Sequence, residues 1–282
     1  MQIIRDLDSL RAAIAALRAD RGKIAFVPTM GALHAGHMAL ICEASARASH
    51  VVASVFVNPT QFGPNEDFGR YPRKEAEDSA MLEAHGASLL WLPPVEVMYP
   101  EGHATTISVS GISEGLCGAS RPGHFDGVAT VVAKLFNQVG PDVALFGEKD
   151  YQQLAVIRRM AADLDFAVEV ASVPTQRDAD GLALSSRNAY LSPEERIAAR
   201  ALPRALGDAA QAIQAGGDIG AALQAAQAAL DAAGFASIDY VELRDADTLA
   251  PVTSLSRPAR ILAAARIGTT RLIDNLPVLP AA

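Results

Sequence analysis

Cysteine is scarce: Cys42 and Cys117 are the only two in a chain of 282 residues. Two thiols supply no disulfide framework and no zinc pattern, and a reducing cytoplasm is the compartment that suits them. Basic charge is also in deficit, with 24 Lys and Arg against 32 Asp and Glu and a formal net charge of -8. An acidic chain does not attract phosphate polymers, so no nucleic-acid partner is expected, although a local cluster of cations still suits a small anion. Long apolar runs are missing as well. No stretch reaches the roughly 18 to 20 residues of a membrane span, so no membrane partner is expected. Met1-Gln2-Ile3-Ile4-Arg5 lacks the basic region and apolar core of a signal peptide. The alanine-rich run 198–233 is broken by Arg204, Asp208, Gly216, Gly217 and Asp218, and reads as two helices. No repeat is visible.

What is present is an ordinary enzyme-like composition, 50% hydrophobic and 20% charged. The length suits one large domain or two unequal ones. The first two-thirds alternate. Short β-branched or apolar runs at 23–27, 51–57, 89–92, 143–146 and 166–173 read as strands. Stretches of helical spacing at 36–49, 75–85, 127–139 and 151–164 separate them, and Gly86 is placed to end the second. Such alternation implies a parallel sheet covered on both faces. The pattern changes near residues 175–190. Ser192-Pro193-Glu194-Glu195 predicts a helix start with a capping box. After the two alanine-rich helices come strand candidates at 238–243, 261–267 and 270–275, the last two predicted to form a hairpin.

Four segments carry chemistry. The first is Pro28-Thr29-Met30-Gly31-Ala32-Leu33-His34-Ala35-Gly36-His37, between the first strand and the first helix. Backbone N–H groups left free at such a junction, together with the helix dipole, favour an anion. The carboxyl end of an open parallel sheet is also where ligands bind. Gly31 and Gly36 permit close backbone approach. His34 and His37, three apart, share one face of a helical turn and can donate to a phosphate as charge develops on it. The alternatives are incidental loop histidines or metal ligands, although no third His, Cys or carboxylate stands at a matching spacing.

The second segment is Gly147-Glu148-Lys149-Asp150-Tyr151-Gln152-Gln153. Lys149 suits phosphate and Asp150 suits ribose hydroxyls; the alternative is a capped helix start with solvated charges. The third is Asp180-Gly181-Leu182-Ala183-Leu184-Ser185-Ser186-Arg187-Asn188, an anion clamp or a polar linker. The fourth is Phe56-Val57-Asn58-Pro59-Thr60-Gln61-Phe62-Gly63. Here Asn58 and Gln61 suit a hydroxylated carboxylate, with a plain Asn-Pro turn as the alternative. All four fall at strand ends or at the domain junction, and such elements are expected to converge on one crevice.

Together with Arg121-Pro122-Gly123-His124-Phe125, these segments strongly resemble the pantothenate synthetase (pantoate–β-alanine ligase) family over nearly the whole chain, in order and spacing. The His34-Ala35-Gly36-His37 turn alone indicates only the nucleotidyltransferase superfamily, which includes class I aminoacyl-tRNA synthetases. Gly147-Glu148-Lys149-Asp150 with Gln153, and Leu184-Ser185-Ser186-Arg187, are far more specific. The fold expected is α/β, with a Rossmann-like parallel-sheet domain over 1–175 that binds ATP and pantoate. A smaller α+β C-terminal domain, 176–282, closes over the nucleotide.

The resemblance implies a two-step reaction. The carboxylate of (R)-pantoate attacks the α-phosphorus of ATP, giving pantoyl adenylate and pyrophosphate. The amine of β-alanine then attacks the acyl carbon, giving pantothenate and AMP. It further implies Mg²⁺ held mainly by the phosphates, and a homodimer. ATP would contact Met30, Gly31, Ala32, Leu33, His34, Ala35, Gly36 and His37, with both histidines on the phosphates and His37 the proton donor. Gly147, Glu148, Lys149 and Asp150 would bind ATP too, Gly147 and Asp150 at the ribose and Lys149 at the phosphates. Leu184, Ser185, Ser186 and Arg187 would close over the nucleotide. His34, His37, Lys149 and Arg187 form the implied catalytic set. Gln61 and Gln153 would hold pantoate, Gln61 bordering β-alanine, with Asn58 beside them. Arg121 would order the site or the subunit contact.

Two positions depart from the family. Gln176 stands where an apolar residue by the adenine is usual, which leaves a backbone contact possible. Asp126 stands where a basic residue is common. The rival readings are a related adenylating or nucleotidyl-transferring enzyme acting on another small acid, and a nucleotide-binding regulatory module without catalysis.

Overall fold

The computed structural model describes residues 1–19, 21–64 and 66–280. Its elements run β1 (Gln2–Ile4), α1 (Leu7–Arg18), β2 (Ile24–Thr29), α2 (Ala35–Arg47), β3 (His50–Val55), α3 (Glu75–Ala84), β4 (Leu89–Trp91), α4 (Val95–Met98) and α5 (Cys117–Ser120). They continue with α6 (His124–Val139), β5 (Val143–Gly147), α7 (Tyr151–Asp163), β6 (Glu169–Val173), α8 (Pro193–Ala199), α9 (Ala201–Gln214), α10 (Ile219–Ala232), β7 (Ser237–Asp245), β8 (Ala259–Ile267) and β9 (Thr270–Val278). The chain divides into two compact units. The first comprises Met1–Ser110, Arg121–Glu148 and Val156–Pro174; the second comprises Gly111–Ser120, Lys149–Ala155 and the chain from Thr175 onward.

The first unit is a six-stranded sheet in the order β1-β4-β3-β2-β5-β6, with every pairing parallel. Its strands are short and apolar because both faces are covered. Alternate residues sort to opposite faces. Ala25, Val27, Val51, Ala53, Val143 and Leu145 form one core with Met38, Leu40, Ile41 and Ala44 of α2. On the other face α6 approaches: Phe136 meets the Phe146 ring at 6.4 Å, and Trp91 Nε1 donates to Gln138 Oε1 at 3.0 Å. Helix α6 is bounded by Gly123 and Gly140, both left-handed at φ 78° and 57°. The chain leaves β2 toward β3 on one side, whereas β5 lies on the other. The strand order therefore reverses at β2/β5, where open sheets bind ligands at their carboxyl ends.

The second unit carries the antiparallel sheet β7-β8-β9. Gly268 and Thr269 make the two-residue turn between β8 and β9, with Ile267 opposite Thr270. Helix α9 lays Leu202, Ala205, Leu206, Ala209, Ala210 and Ile213 into the core with Ile261, Ala263 and Ala265 of β8. That spacing is one apolar stripe of a helix. The Ser192 capping box forms as expected, with Ser192 Oγ accepting from Glu195 N at 3.1 Å. Short β1 and helix α1 lie outside the sequence expectation. Among the described residues no helix is long and apolar enough to cross a membrane.

Candidate active site

Three of the four segments begin at the carboxyl ends of adjacent strands of the first unit. Phe56–Gly63 follows β3, Met30–His37 follows β2, and Gly147 ends β5. The Met30–His37 turn is held from inside the protein. Gly31 is left-handed at φ 82° and Ala32 at φ 52°. A Cβ on Gly31 would stand 3.0 Å from both Asp78 Oδ2 and Val55 Cγ1. Asp78 of α3, 2% exposed, accepts from Ala32 N at 2.9 Å and Leu33 N at 2.8 Å. Gly31 N donates to Thr29 Oγ1 at 3.2 Å.

His34 and His37 lie side by side as the spacing predicts, but His34 is not itself helical. His34 is the extended N-cap of α2 and His37 is its third residue, and the two form a reciprocal capping box. His34 Nδ1 accepts from Gly36 N at 3.1 Å, and His37 Nδ1 accepts from His34 N at 3.3 Å. In a neutral imidazole whose Nδ1 accepts, the hydrogen sits on Nε2. The ring centroids lie 4.2 Å apart. The turn thus places two imidazole rings side by side at a helix N-terminus. The expectation of free backbone N–H groups is corrected: those of Gly31, Ala32, Leu33, His34 and Gly36 are engaged by the protein, because donors in a half-buried turn are paired.

Beside this turn Gln61, 8% exposed, reaches Met30 Sδ through Nε2 at 2.9 Å and takes Asn58 Nδ2 on Oε1 at 3.1 Å. Asn58 departs from its expected place. At 1% exposed it is spent on protein partners, donating to Gly127 O at 3.1 Å and accepting on Oδ1 from Thr60 and from Tyr99 Oη at 2.7 Å. It positions Gln61. Burial pushes the Tyr99 phenol above its ordinary value, against its bonds to Thr60 and Asn58, so it stays a donor. Arg121 braces the same turn. It makes a two-pronged contact at 2.6 Å with Glu66 and donates to Gln61 O at 3.3 Å, while His124 Nδ1 lies 2.8 Å from that oxygen. Burial alone would raise the Glu66 carboxyl, but the Arg121 hydrogen bonds and charge outweigh it and hold the group below its ordinary range. Asp126 is half-buried in the first turn of α6.

Gly147 has neither a left-handed φ nor any atom within 4 Å of a built Cβ, so nothing within the protein requires glycine there. Glu148 accepts from Ser172 Oγ at 3.1 Å.

In the second unit Lys149 Nζ lies 3.6 Å from Asp150 Oδ2, and its carbonyl accepts from Asn275 Nδ2 at 2.9 Å. Tyr151 donates to Ala246 O at 2.8 Å under the guanidinium of Arg260, 4.0 Å from its ring centroid. Gln152, buried, ties down a loop: it accepts from Cys117 N at 3.0 Å and donates to Ile112 O and Gly115 O. Gln153, its neighbour, is half-buried. Exposed Gln176 engages through its backbone, its carbonyl accepting from Leu184 N at 2.9 Å. Ser185 caps the turn Ser186–Tyr190 by accepting from Arg187 N at 3.3 Å. Among the described residues, no three or more His, Cys, Asp or Glu are grouped to hold a metal ion.

Residues 2–277 match the family model described as pantoate-beta-alanine ligase. The chain belongs to the pantoate–β-alanine ligase family. The pantothenate synthetase of Rhizorhabdus wittichii is 65% identical over 281 residues, covering 100% of both chains. That of Sphingopyxis alaskensis is 62% identical, covering 99% of this chain and 100% of the relative. Among solved structures, the pantothenate synthetase of Thermus thermophilus superposes with a TM-score of 0.94 at 51% identity, covering 99% and 100% of the two chains. The Francisella tularensis member of the family, described as complexed with beta-gamma ATP and β-alanine, superposes with a TM-score of 0.83 at 34% identity, covering 98% and 97%. Asp78, Glu66 and Tyr99 were outside the sequence reading. Glu66 and Asp78 sit among surface-like charges, and no local signal sets them apart.

Proposed function

We propose that this protein joins (R)-pantoate to β-alanine, with cleavage of ATP to AMP and pyrophosphate through a pantoyl-adenylate intermediate. The observation that carries the reading is the paired His34–His37 cap, two imidazole rings with centroids 4.2 Å apart at a helix N-terminus, in the turn whose Met30 contacts Gln61. Family membership supplies the substrates. Pantoate's carboxylate is the nucleophile at the α-phosphorus, so no protein nucleophile is required. The chain's part is to position the reactants and neutralise developing charge.

In this reading both imidazoles donate to phosphate oxygens, His37 being the proton donor to the leaving pyrophosphate. The helix dipole adds to their effect. Lys149 and Arg187 neutralise the phosphates as well. Glycine at 147 lets ribose approach the backbone, and Asp150 accepts from its hydroxyls. Leu184 to Arg187 cover the nucleotide, and the Gln176 backbone borders the adenine. Gln61 and Gln153 hold pantoate, and Gln61 borders the β-alanine amine. Mg²⁺ accompanies the triphosphate and screens its charge, held mainly by phosphate oxygens and water. The homodimer and the cytoplasmic location rest on family resemblance and on cysteine usage.

The test is ATP–pyrophosphate exchange. Exchange that needs pantoate, with pantothenate formed once β-alanine is added, is the expected result. Exchange with other acids but not pantoate would move the protein to a neighbouring adenylating activity. No exchange at all would leave a binding module.

A further inference from the structure

Two segments of the second unit that the proposed function assigns to ATP, the Lys149 turn and the 176–187 loop, meet no common partner in sequence. They meet one in the fold. Asp274 and Asn275 are consecutive residues of β9, each 2% exposed. Asn275 Nδ2 donates to Lys149 O at 2.9 Å. Asn275 N donates to Asp274 Oδ1 at 2.7 Å. Asp274 in turn takes both prongs of Arg177, at 2.7 and 2.8 Å.

Arg177 is the root of the loop. Its Nη1 also donates to Gly181 O at 3.1 Å. Backbone bridges tie Arg177 to Ala183 and Leu184 to Gln176, bringing the chain to Ser185–Arg187 in a short closed hairpin. Arg196 of α8 grips the hairpin from outside through Asp178 at 2.6 Å and Asp180 at 3.1 Å. A continuous run of hydrogen bonds therefore links the Lys149 carbonyl to the base of the Ser185–Arg187 clamp. It passes through a buried carboxylate that holds a bidentate guanidinium, the most geometrically restrictive of ion pairs.

We propose that Asp274 and Asn275, with Arg177, are positioning residues for ATP: they hold the Lys149 turn and the 176–187 loop in fixed register so that both engage one triphosphate. This rests on the proposed function. None of the three side chains is assigned a contact with substrate. Their effect passes through Lys149 and the loop, and so belongs to ATP rather than to pantoate.

Two variants test it. Asn275→Ala removes the donor to Lys149, and Arg177→Lys keeps the charge but loses the fork and is the milder change. In pantoate-dependent pyrophosphate exchange each raises the KM for ATP roughly five- to tenfold, as expected for one lost hydrogen bond at the root of a binding segment. The KM for pantoate stays within about twofold of wild type. Because both act through one network, the double variant raises the KM for ATP by less than the product of the singles. Thermal unfolding in parallel identifies a variant that fails to fold, and Arg177→Lys then carries the test. Lowered Tm with an unchanged KM for ATP in both variants overturns the proposal, since the network would be structural only. A wild-type protein whose exchange ignores pantoate defeats the functional reading alone, because ATP Kd still reports the coupling. A wild type that binds no ATP defeats both.

Discussion

His34 and His37 show how a single residue acquires two duties. Each Nδ1 accepts a backbone N–H at the start of α2, and in the proposed reading each Nε2–H donates to phosphate. Replacing His37 by alanine removes both. Loss of the cap bond costs about 1 kcal/mol of stability. Loss of a preorganised donor at developing charge costs far more in rate, and adenylation is expected to slow about 10²- to 10³-fold in single turnover. A rate within threefold of wild type would remove His37 from the chemistry. Glu66 makes a different prediction. Its folded value is depressed by Arg121, so its contribution is fully present above the ordinary glutamate value of about 4.3 and is lost as pH falls through the lower folded value. Thermal stability of the wild type should therefore drop on acidification below about pH 4 more steeply than that of Glu66→Gln. Parallel curves for the two proteins would show that Glu66 carries no linkage.

At the scale of elements, the turn that carries Gln61 depends on how closely α6 approaches it. A Cβ on Gly127 would stand 2.5 Å from Thr60 O and 2.7 Å from Gln61 N, both backbone atoms. Gly127 O also accepts from Asn58. Gly127→Ala must push helix and turn apart, at a cost of about 1–3 kcal/mol for overpacking. The displaced turn carries Gln61 with it, so the KM for pantoate should rise several-fold more than the KM for ATP. Equal changes in the two constants, or none, would refute this account of the glycine. The second unit is built on the opposite logic. Its small residues, Ala205, Ala209, Ala263 and Ala265, let α9 lie close on β8 without clash.

For the whole molecule, ATP binding is a stability statement. A ligand that binds only the folded state at about 100 times its Kd stabilises by about 2.7 kcal/mol. ATP should raise the Tm of the wild type in a concentration-dependent way, and Lys149→Ala should need more ATP for the same rise. A Tm insensitive to ATP would count against nucleotide binding altogether.

The course of the chain was largely legible in its sequence. β5, α7, the Ser192 helix start and the β8–β9 hairpin appear where periodicity and capping residues put them. β1, α4 and α5 escaped because they are three or four residues long, and α1 escaped although Asp6 caps it and Leu10 and Ile14 are buried one turn apart. Of the candidate site, the segments could be named from the sequence and the bonds that hold them could not. Asp78 lies 46 residues from Ala32, and Asn275 lies 126 from Lys149. Asn58, read as a substrate ligand, turned inward to hold Gln61.

The sequence by itself determined the strand–helix alternation, the helix caps and the residue types at each strand end. These are written in patterns a few residues long, and backbone sterics enforce them locally. Only the tertiary structure decided how the donors of the His34 turn are paired. Asp78 takes the backbone N–H groups of Ala32 and Leu33, while His34 and His37 cap the helix start that follows. Asp274 and Asn275 bind two distant segments into one frame. The reason is that every buried donor and acceptor must find a partner, and which partner it finds is set by packing across the fold rather than by neighbours in the chain.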